Sequence, residues 1–301
     1  MERAVAIAVP AKDEEDRLAA CLERLISLSE DDRVGSLEIV VLANNCADDT
    51  ARVAGRYGPR CKAIALDLPS DRAHAGWARR LALDAAANRL RAPGDVLMCT
   101  DADTRVADDW LSKSLDHLDA GWDAVAGLAR LDSRELRGLD RGHRRRLAMI
   151  QRHENAVSRL RAAGRADEPW PRHFYEGGAS IAMTLGAYRR TGGAPTPAVG
   201  EDKALFDAIR RSGGRVRHPT DVRVTTSARL VGRAPGGASD TLAMWGGQDE
   251  AAEIHGVTAL NGGPVSFASL AAETASARQM AWSLTVADAA TDPADRTRLA
   301  G

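Results

Sequence analysis

The chain of 301 residues has only four cysteines, no apolar run approaching the ~20 residues that span a bilayer, and no excess of either charge. Cys21, Cys46, Cys61 and Cys99 show no Cys-x-x-Cys spacing, and three of them lie in apolar segments, so they read as reduced core thiols. Lysine plus arginine total 41 against 42 acids, a net charge of −1. That balance offers no global attraction to nucleic acid, and any basic partner surface has to be local. The N-terminus lacks the basic region, apolar core and small-residue cleavage site of a signal peptide. A cytoplasmic protein is therefore expected, with no transmembrane segment and with peripheral membrane contact left open.

What the chain does have is a repeated alternation of short apolar runs with helical patterns. Val5 to Val9 predicts a strand, and Leu18, Cys21, Leu22, Leu25 and Leu28 then recur at the spacing of one helix face. Strands are expected again at Leu37 to Ala43, Cys61 to Leu66 and Asp95 to Thr100, with a short helix after Asp48 and an alanine-rich one from Ala75 to Leu90. This order implies a mostly parallel α/β sheet. After Asp103 the expectation is a helix at Asp108 to Leu118, a strand at Trp122 to Leu128 and a long arginine-rich helix from about Glu135 to Ala163. A Pro- and aromatic-containing loop follows, then a strand at Ala179 to Met183, a helix at Asp202 to Arg211, and strands at Arg215 to His218 and Val222 to Thr226. The tail from Ser239 reads as helical, broken at Gly262-Gly263-Pro264, and is expected to pack on the core or on a second subunit, which leaves a homo-oligomer open.

The most informative stretch is Val96-Leu97-Met98-Cys99-Thr100-Asp101-Ala102-Asp103, an apolar strand that delivers two carboxylates at its carboxyl end. Ligands of parallel sheets gather at that edge. In extended chain, residues two apart point to the same side, so Asp101 and Asp103 are expected to address one hard cation, or one the cation and the other a sugar hydroxyl. Acids held this close repel unless a positive charge compensates them.

Four blocks in order carry a family resemblance: Val9-Pro10-Ala11-Lys12-Asp13-Glu14-Glu15, Asn44-Asn45-Cys46-Ala47-Asp48-Asp49-Thr50, Thr100-Asp101-Ala102-Asp103 and Gly200-Glu201-Asp202. Over roughly Val5 to Gly237 the chain resembles family 2 glycosyltransferases with the GT-A fold. The resemblance implies a Rossmann-like nucleotide-sugar-binding half (1–104), a smaller acceptor-binding and catalytic half (105–238) and a helical C-terminal extension (239–301). It implies a metal-dependent, inverting hexosyltransferase that uses Mg2+ or Mn2+, a nucleotide-diphosphate sugar donor and a hydroxyl acceptor. Pro10, Ala11 and Glu14 are then expected beside the nucleoside, with Glu14 receiving a ribose hydroxyl. Asn44 stands where many members have an acid, so an amide would read the base edge and guanine or thymine donors stay open beside uracil.

The same resemblance places Asp101, Ala102 and Asp103 at the diphosphate, with Asp103 on the metal and His218 as a candidate further ligand. Asp202 becomes the general base, although its place at a helix N-terminus predicts a low pKa. Gly76 is expected to let the backbone approach the donor, and Arg79 or Arg72 to pair with its diphosphate. Gly177 and Gly178 would border the sugar and acceptor, with Glu201, Trp170, Phe174 and Tyr175 on the acceptor side. Arg229 and Arg233 sit in a glycine-bearing segment that resembles a lid closing over the diphosphate. The run Arg137, Arg141, His143, Arg144, Arg145, Arg146 reads as solvated helix surface, or else as a seat for an anionic acceptor or lipid headgroup.

Two other readings compete. A nucleotidyltransferase needs a glycine-rich phosphate loop after the first strand, and this chain has no glycine before Gly35. A non-catalytic sugar-nucleotide-binding protein would keep the fold without turnover, but Asp101, Asp103 and Asp202 together argue against it.

Overall fold

The computed structural model describes residues 2–28, 31–163, 168–173, 175–247, 251, 253–258 and 263–291. In chain order they form β1 (Arg3–Ala11), α1 (Glu15–Ile26), β2 (Val34–Asn44), α2 (Thr50–Gly55), β3 (Cys61–Leu66), α3 (Ala75–Ala87) and β4 (Val96–Cys99). There follow β5 (Arg105–Val106), α4 (Trp110–Asp119), β6 (Ala124–Ala126), β7 (Leu128–Leu131), α5 (Ser133–Gly138), α6 (Arg141–Ala163), β8 (Ile181–Thr184) and α7 (Leu185–Arg190). The last elements are α8 (Glu201–Arg211), β9 (Val216–Arg217), β10 (Arg223–Thr226), α9 (Ala238–Gly247), β11 (Glu253–Thr258), β12 (Pro264–Ser266) and α10 (Phe267–Thr291).

Packing divides the chain into two compact units, Met1–Glu135 with Tyr175–Ser239, and Leu136–Phe174 with Asp240–Gly301. In the first, seven strands lie in the order β3-β2-β1-β4-β8-β6-β9. The first four are parallel, as the strand and helix alternation predicts, so the ends of β1, β2 and β4 share one edge. β8 runs antiparallel to β4, with Cys99 opposite Ile181, so the residues entering β8 stand at the same edge as those leaving β4. A smaller sheet, β5-β10-β7, continues from there.

Alternation along β1 fixes the two faces of the large sheet. Val5, Ile7 and Val9 pack with Leu18, Leu22 and Leu25 of α1, while Ala6 and Ala8 pack with Ala82 and Leu83 of α3 and with Phe206 and Ile209 of α8. Each such leucine, removed from water, contributes about 1.5–3 kcal/mol. β4 obeys the same period: Val96 and Met98 face α1, Leu97 and Cys99 face α3. Cys21, Cys61 and Cys99 are buried free thiols.

In the second unit α6 packs along α10, with Ala156, Val157 and Ala277 at the contact. The expectation of a helical tail holds for α9 and α10 but not between them. Ile254, Val257 and Val265 are buried on the β11–β12 hairpin beside Phe267 and Leu270, so apolar burial there is met by strands. Pro264 opens β12, and Gly262 lies outside the described residues. The basic run of α6 is only partly solvated: Arg141, Arg144 and Arg145 are exposed, but His143 Nε2 meets Leu242 O at 2.8 Å and Arg146 donates to Gly246 O at 2.6 Å. Among the described residues no helix is long and apolar enough to cross a membrane.

Candidate active site

The carboxyl edge of the parallel strands collects most of the residues singled out by sequence, all within the first unit. Pro10 and Ala11 end β1 opposite Leu42 and Ala43 of β2, and buried Asn44 closes β2 beside Leu66. Glu14 is buried just past β1, its amide donating to Thr50 Oγ1 at 2.8 Å. Asp48 does not face outward as a ligand. It accepts from the amides of Thr50 and Glu15 at 3.0 Å each, which seats the start of α2 against the first loop.

Asp101 and Asp103 do not share one direction. The extended period that carries Cys99 toward α3 also carries Asp101 there, but a turn closed by Thr104 N on Asp101 O at 3.0 Å then redirects the chain. Asp101 Oδ1 accepts from Arg79 Nη2 at 3.0 Å, whereas Asp103 Oδ2 lies 3.1 Å from Arg229 Nη2 and its Oδ1 accepts from Thr226 Oγ1 at 3.4 Å. Ala102 between them is buried in the core on the α1 side. Burial and the neighbouring Asp101 push the Asp103 carboxyl up to about 6 even though Arg229 pulls the other way. The site is short of positive charge.

Arg79 is turned inward, away from the diphosphate role expected of it. Its side chain is 8% exposed, and the guanidinium donates to Asp101 Oδ1 and Glu201 Oε1 at 3.0 Å and to Gly178 O at 3.3 Å, with Cys99 Sγ also at 3.3 Å. Burial works against the charge, but Asp101, Cys99 and Glu201 outweigh it and hold the group protonated. Glu201, expected on the acceptor side, is buried and answers Arg79. Arg72 stacks over the Trp77 ring, 4.9 Å from its centroid.

The glycines are small because protein atoms approach them. A Cβ on Gly178 would lie 2.0 Å from Arg79 Nη2, one on Gly177 would lie 2.4 Å from the Tyr175 ring, and one on Gly76 would lie 2.1 Å from Pro197 O. Gly76 therefore packs α3 on the loop before α8, and does not open a path for ligand. Gly178 N donates to Asp202 Oδ2 at 2.8 Å, so one residue links Arg79, through its carbonyl, to the Asp202 carboxylate. Burial, reinforced by Glu201, raises the Asp202 pKa despite Arg79, contrary to the low value that its place on α8 predicts. Tyr175 is 41% exposed as a residue, but its hydroxyl end packs on Gly177, and local desolvation together with Asp202 and Asp101 pushes that hydroxyl up.

His218 does not join Asp103. Its Nε2 meets Glu176 Oε1 at 2.9 Å, and Arg210 pairs with the same carboxylate. Among the described residues the only three ligand-type side chains within 4.8 Å of one another are Asp13, Cys46 and Asp48, and all three carry the loop's own hydrogen bonds, Asp13 Oδ1 accepting from Ala47 N at 2.7 Å and Cys46 Sγ from Asp13 N at 3.4 Å. Arg229 reaches both carboxylates at the edge: Nη1 donates to Glu14 Oε2 at 2.9 Å, and Nη2 pairs with Glu14 Oε1 and with Asp103. Arg233 is exposed, and its charge acts on Asp48. Trp170 belongs to the second unit, where Arg159 lies 5.4 Å over its ring, and Phe174 lies outside the described residues.

One residue of the site escaped the sequence reading. Glu135 accepts from Ser227 Oγ at 2.8 Å, from Ala228 N at 2.6 Å and from Arg17 Nη1 at 2.6 Å, fixing the backbone that carries Arg229. No local pattern marks it, because its partners are about a hundred residues away in either direction.

Residues 6–181 match the family model for glycosyl transferase family 2. No curated protein matches the sequence. Among solved structures the chain is similar to the mannosyltransferase PcManGT from Pyrobaculum calidifontis, in complex with GDP-Man and Mn2+, at 19% identity and a TM-score of 0.51, covering 100% of this chain and 79% of that one. It is also similar to S. aureus TarS 1-349 in complex with UDP-GlcNAc, at 14% identity and a TM-score of 0.54, covering 77% of this chain and 60% of that one. The mixed sheet with its parallel half is the GT-A arrangement of these neighbours, and the family match extends over more than half of the sequence. The chain belongs to glycosyl transferase family 2.

Proposed function

We propose that the first unit transfers a sugar, with inversion, from a nucleotide-diphosphate donor to a hydroxyl acceptor, with Asp202 as general base. The observation that carries this reading is the arrangement around Arg79: one guanidinium joins Asp101, at the end of β4, to the Gly178 backbone that holds Asp202 at the start of α8. A base for the incoming hydroxyl and, on the other side of the sugar, carboxylates that can hold a cation for the departing diphosphate are what metal-dependent inverting transfer uses. The raised pKa of Asp202 brings it nearer the range in which a carboxylate accepts a proton from an acceptor hydroxyl.

Pro10, Ala11 and Asn44 hold the nucleoside in this reading, Asn44 through an amide that both donates and accepts. Glu14 takes the ribose side, and Arg229 pairs with the diphosphate. Arg79 and Glu201 act behind the surface and keep Asp101 and Gly178 in place. Tyr175, stacked on Gly177, faces the acceptor. A magnesium or manganese ion suits the donor set, since Asp103 and Glu14 share a single arginine, and carboxylate oxygens are the ligands a hard cation takes. Asp103 with Asp101 beside it would hold the ion, which when bound stabilises negative charge on the departing diphosphate.

Asp202→Asn tests the assignment. Release of nucleotide diphosphate from the donor, followed against a panel of hydroxyl acceptors, should fall by at least about a hundredfold while donor binding stays within about twofold. Unchanged turnover would take Asp202 out of the base role, and a product of retained anomeric configuration by NMR would overturn inversion.

A further inference from the structure

Arg229 sits on the two carboxylates that the proposed function gives to the donor and to the metal. Its guanidinium straddles Glu14 and Asp103, with Nη2 facing both, so a single positive charge serves two acids. The side chain is 18% exposed and Glu14 is 6% exposed, so solvent does little to relieve the pair. The fit is incomplete, because Arg229 Nε is buried without a hydrogen-bond partner among the described residues. A guanidinium presents five N–H groups, and one in a buried pose with a donor left over is poised for an anion with more oxygens.

The backbone beneath it is pinned. Glu135 holds Ser227 and Ala228, the Arg229 amide donates to Ser227 Oγ at 3.1 Å, and Thr226 on β10 touches Asp103. A change of partner by Arg229 thus needs only rotation of its own side chain, with the loop in place.

We infer that Arg229, anchored on Glu14, and the divalent cation are alternative partners of the Asp103 carboxylate, so that the metal enters tightly only when a nucleotide diphosphate draws the arginine away. Arg229 offsets part of the negative charge of the acidic edge in the free protein and becomes the diphosphate partner once the donor arrives. By linkage, the nucleotide then tightens the metal by the same factor as the metal tightens the nucleotide. The diphosphate half of the inference rests on the function proposed above; the competition for Asp103 rests on the contacts alone.

Manganese binding to the full-length protein, read from the electron spin resonance of free Mn2+, tests it directly. Without nucleotide, Arg229→Ala should bind Mn2+ at least about tenfold more tightly than wild type, and saturating UDP, GDP or TDP should strengthen Mn2+ binding much less in the variant than in wild type. Arg229→Lys, which keeps the charge but cannot bridge both acids, should fall between, and guards against misfolding of the alanine variant. Equal or weaker Mn2+ binding by Arg229→Ala alone overturns the inference. Tighter Mn2+ binding in the variant with no effect of UDP, GDP or TDP on either protein upholds the shared site and removes the nucleotide-sugar reading.

Discussion

Two arginines face one acidic edge and are held there in opposite ways. Arg79 projects from a helix into the interior and is surrounded by groups from β4, α8 and the strand entry at Gly178, each within 3.3 Å. Arg229 comes from the segment after β10, rests on two carboxylates and leaves an N–H unanswered among the described residues. The chemistry of the side chain is the same, so the difference lies in what surrounds it. Complete satisfaction makes an arginine part of the frame, and partial satisfaction over an acidic pair makes it exchangeable.

The comparison breaks most visibly in stability. Arg79→Leu strands Glu201 as a buried, unpaired carboxylate, leaves half-buried Asp101 without its partner, and should cost about 3–5 kcal/mol. Arg229→Leu should cost less, about 1–3 kcal/mol, because Asp103, already raised to about 6, can take up a proton once the cation is gone. Urea midpoints measure both, and equal losses would erase the distinction.

The carboxylates opposite the two arginines should respond with opposite signs. Asp103 takes its proton at about 6, above the ordinary 3.8, since burial and Asp101 disfavour its charge. A group more basic folded than unfolded binds more protons in the folded state, so stability falls as pH rises between those values and stays lower above them. Asp103→Asn removes that charge and should raise metal-free stability by about 2 kcal/mol at about pH 7.5, with no gain below about pH 4, while transfer is lost. A thermal midpoint unchanged across that pH range would contradict it. Asp101→Asn loses a charged hydrogen bond to Arg79 and should instead cost about 1–2 kcal/mol. The smallest effect is expected at Glu135→Gln, about 0.5–1 kcal/mol, seen as faster amide exchange at Ala228, whose N–H the carboxylate now accepts.

The strands and helices of the first unit were legible because their signals are local: uninterrupted apolar runs in β1 and β4, which are buried on both faces, helical spacing in α1, an acidic pair at a strand end. That many of the singled-out residues gather at one sheet edge was legible, but their pairings were less so. Asp101 and Asp103 part company because a turn interrupts the strand at Thr100, and a count of two residues cannot see a turn. Gly76, Gly177 and Gly178 announce close approach without saying of what; here it is Pro197, Tyr175 and Arg79. Arg79 to Glu201 spans 122 residues and Arg229 to Glu14 spans 215, so each partner follows from the topology of the sheet. The hairpin β11–β12 was hidden by an alanine-rich composition that favours helix on either side of it.

The central claim is a metal-dependent nucleotide-sugar site at the edge held by Asp101, Asp103 and Glu14. It is tested most directly by calorimetric titration of the wild-type protein with UDP, GDP and TDP, each with manganese and again with chelator. One nucleotide should bind with manganese and at least about tenfold more weakly without it. Binding indifferent to the metal, or no binding by a folded sample, would contradict the account.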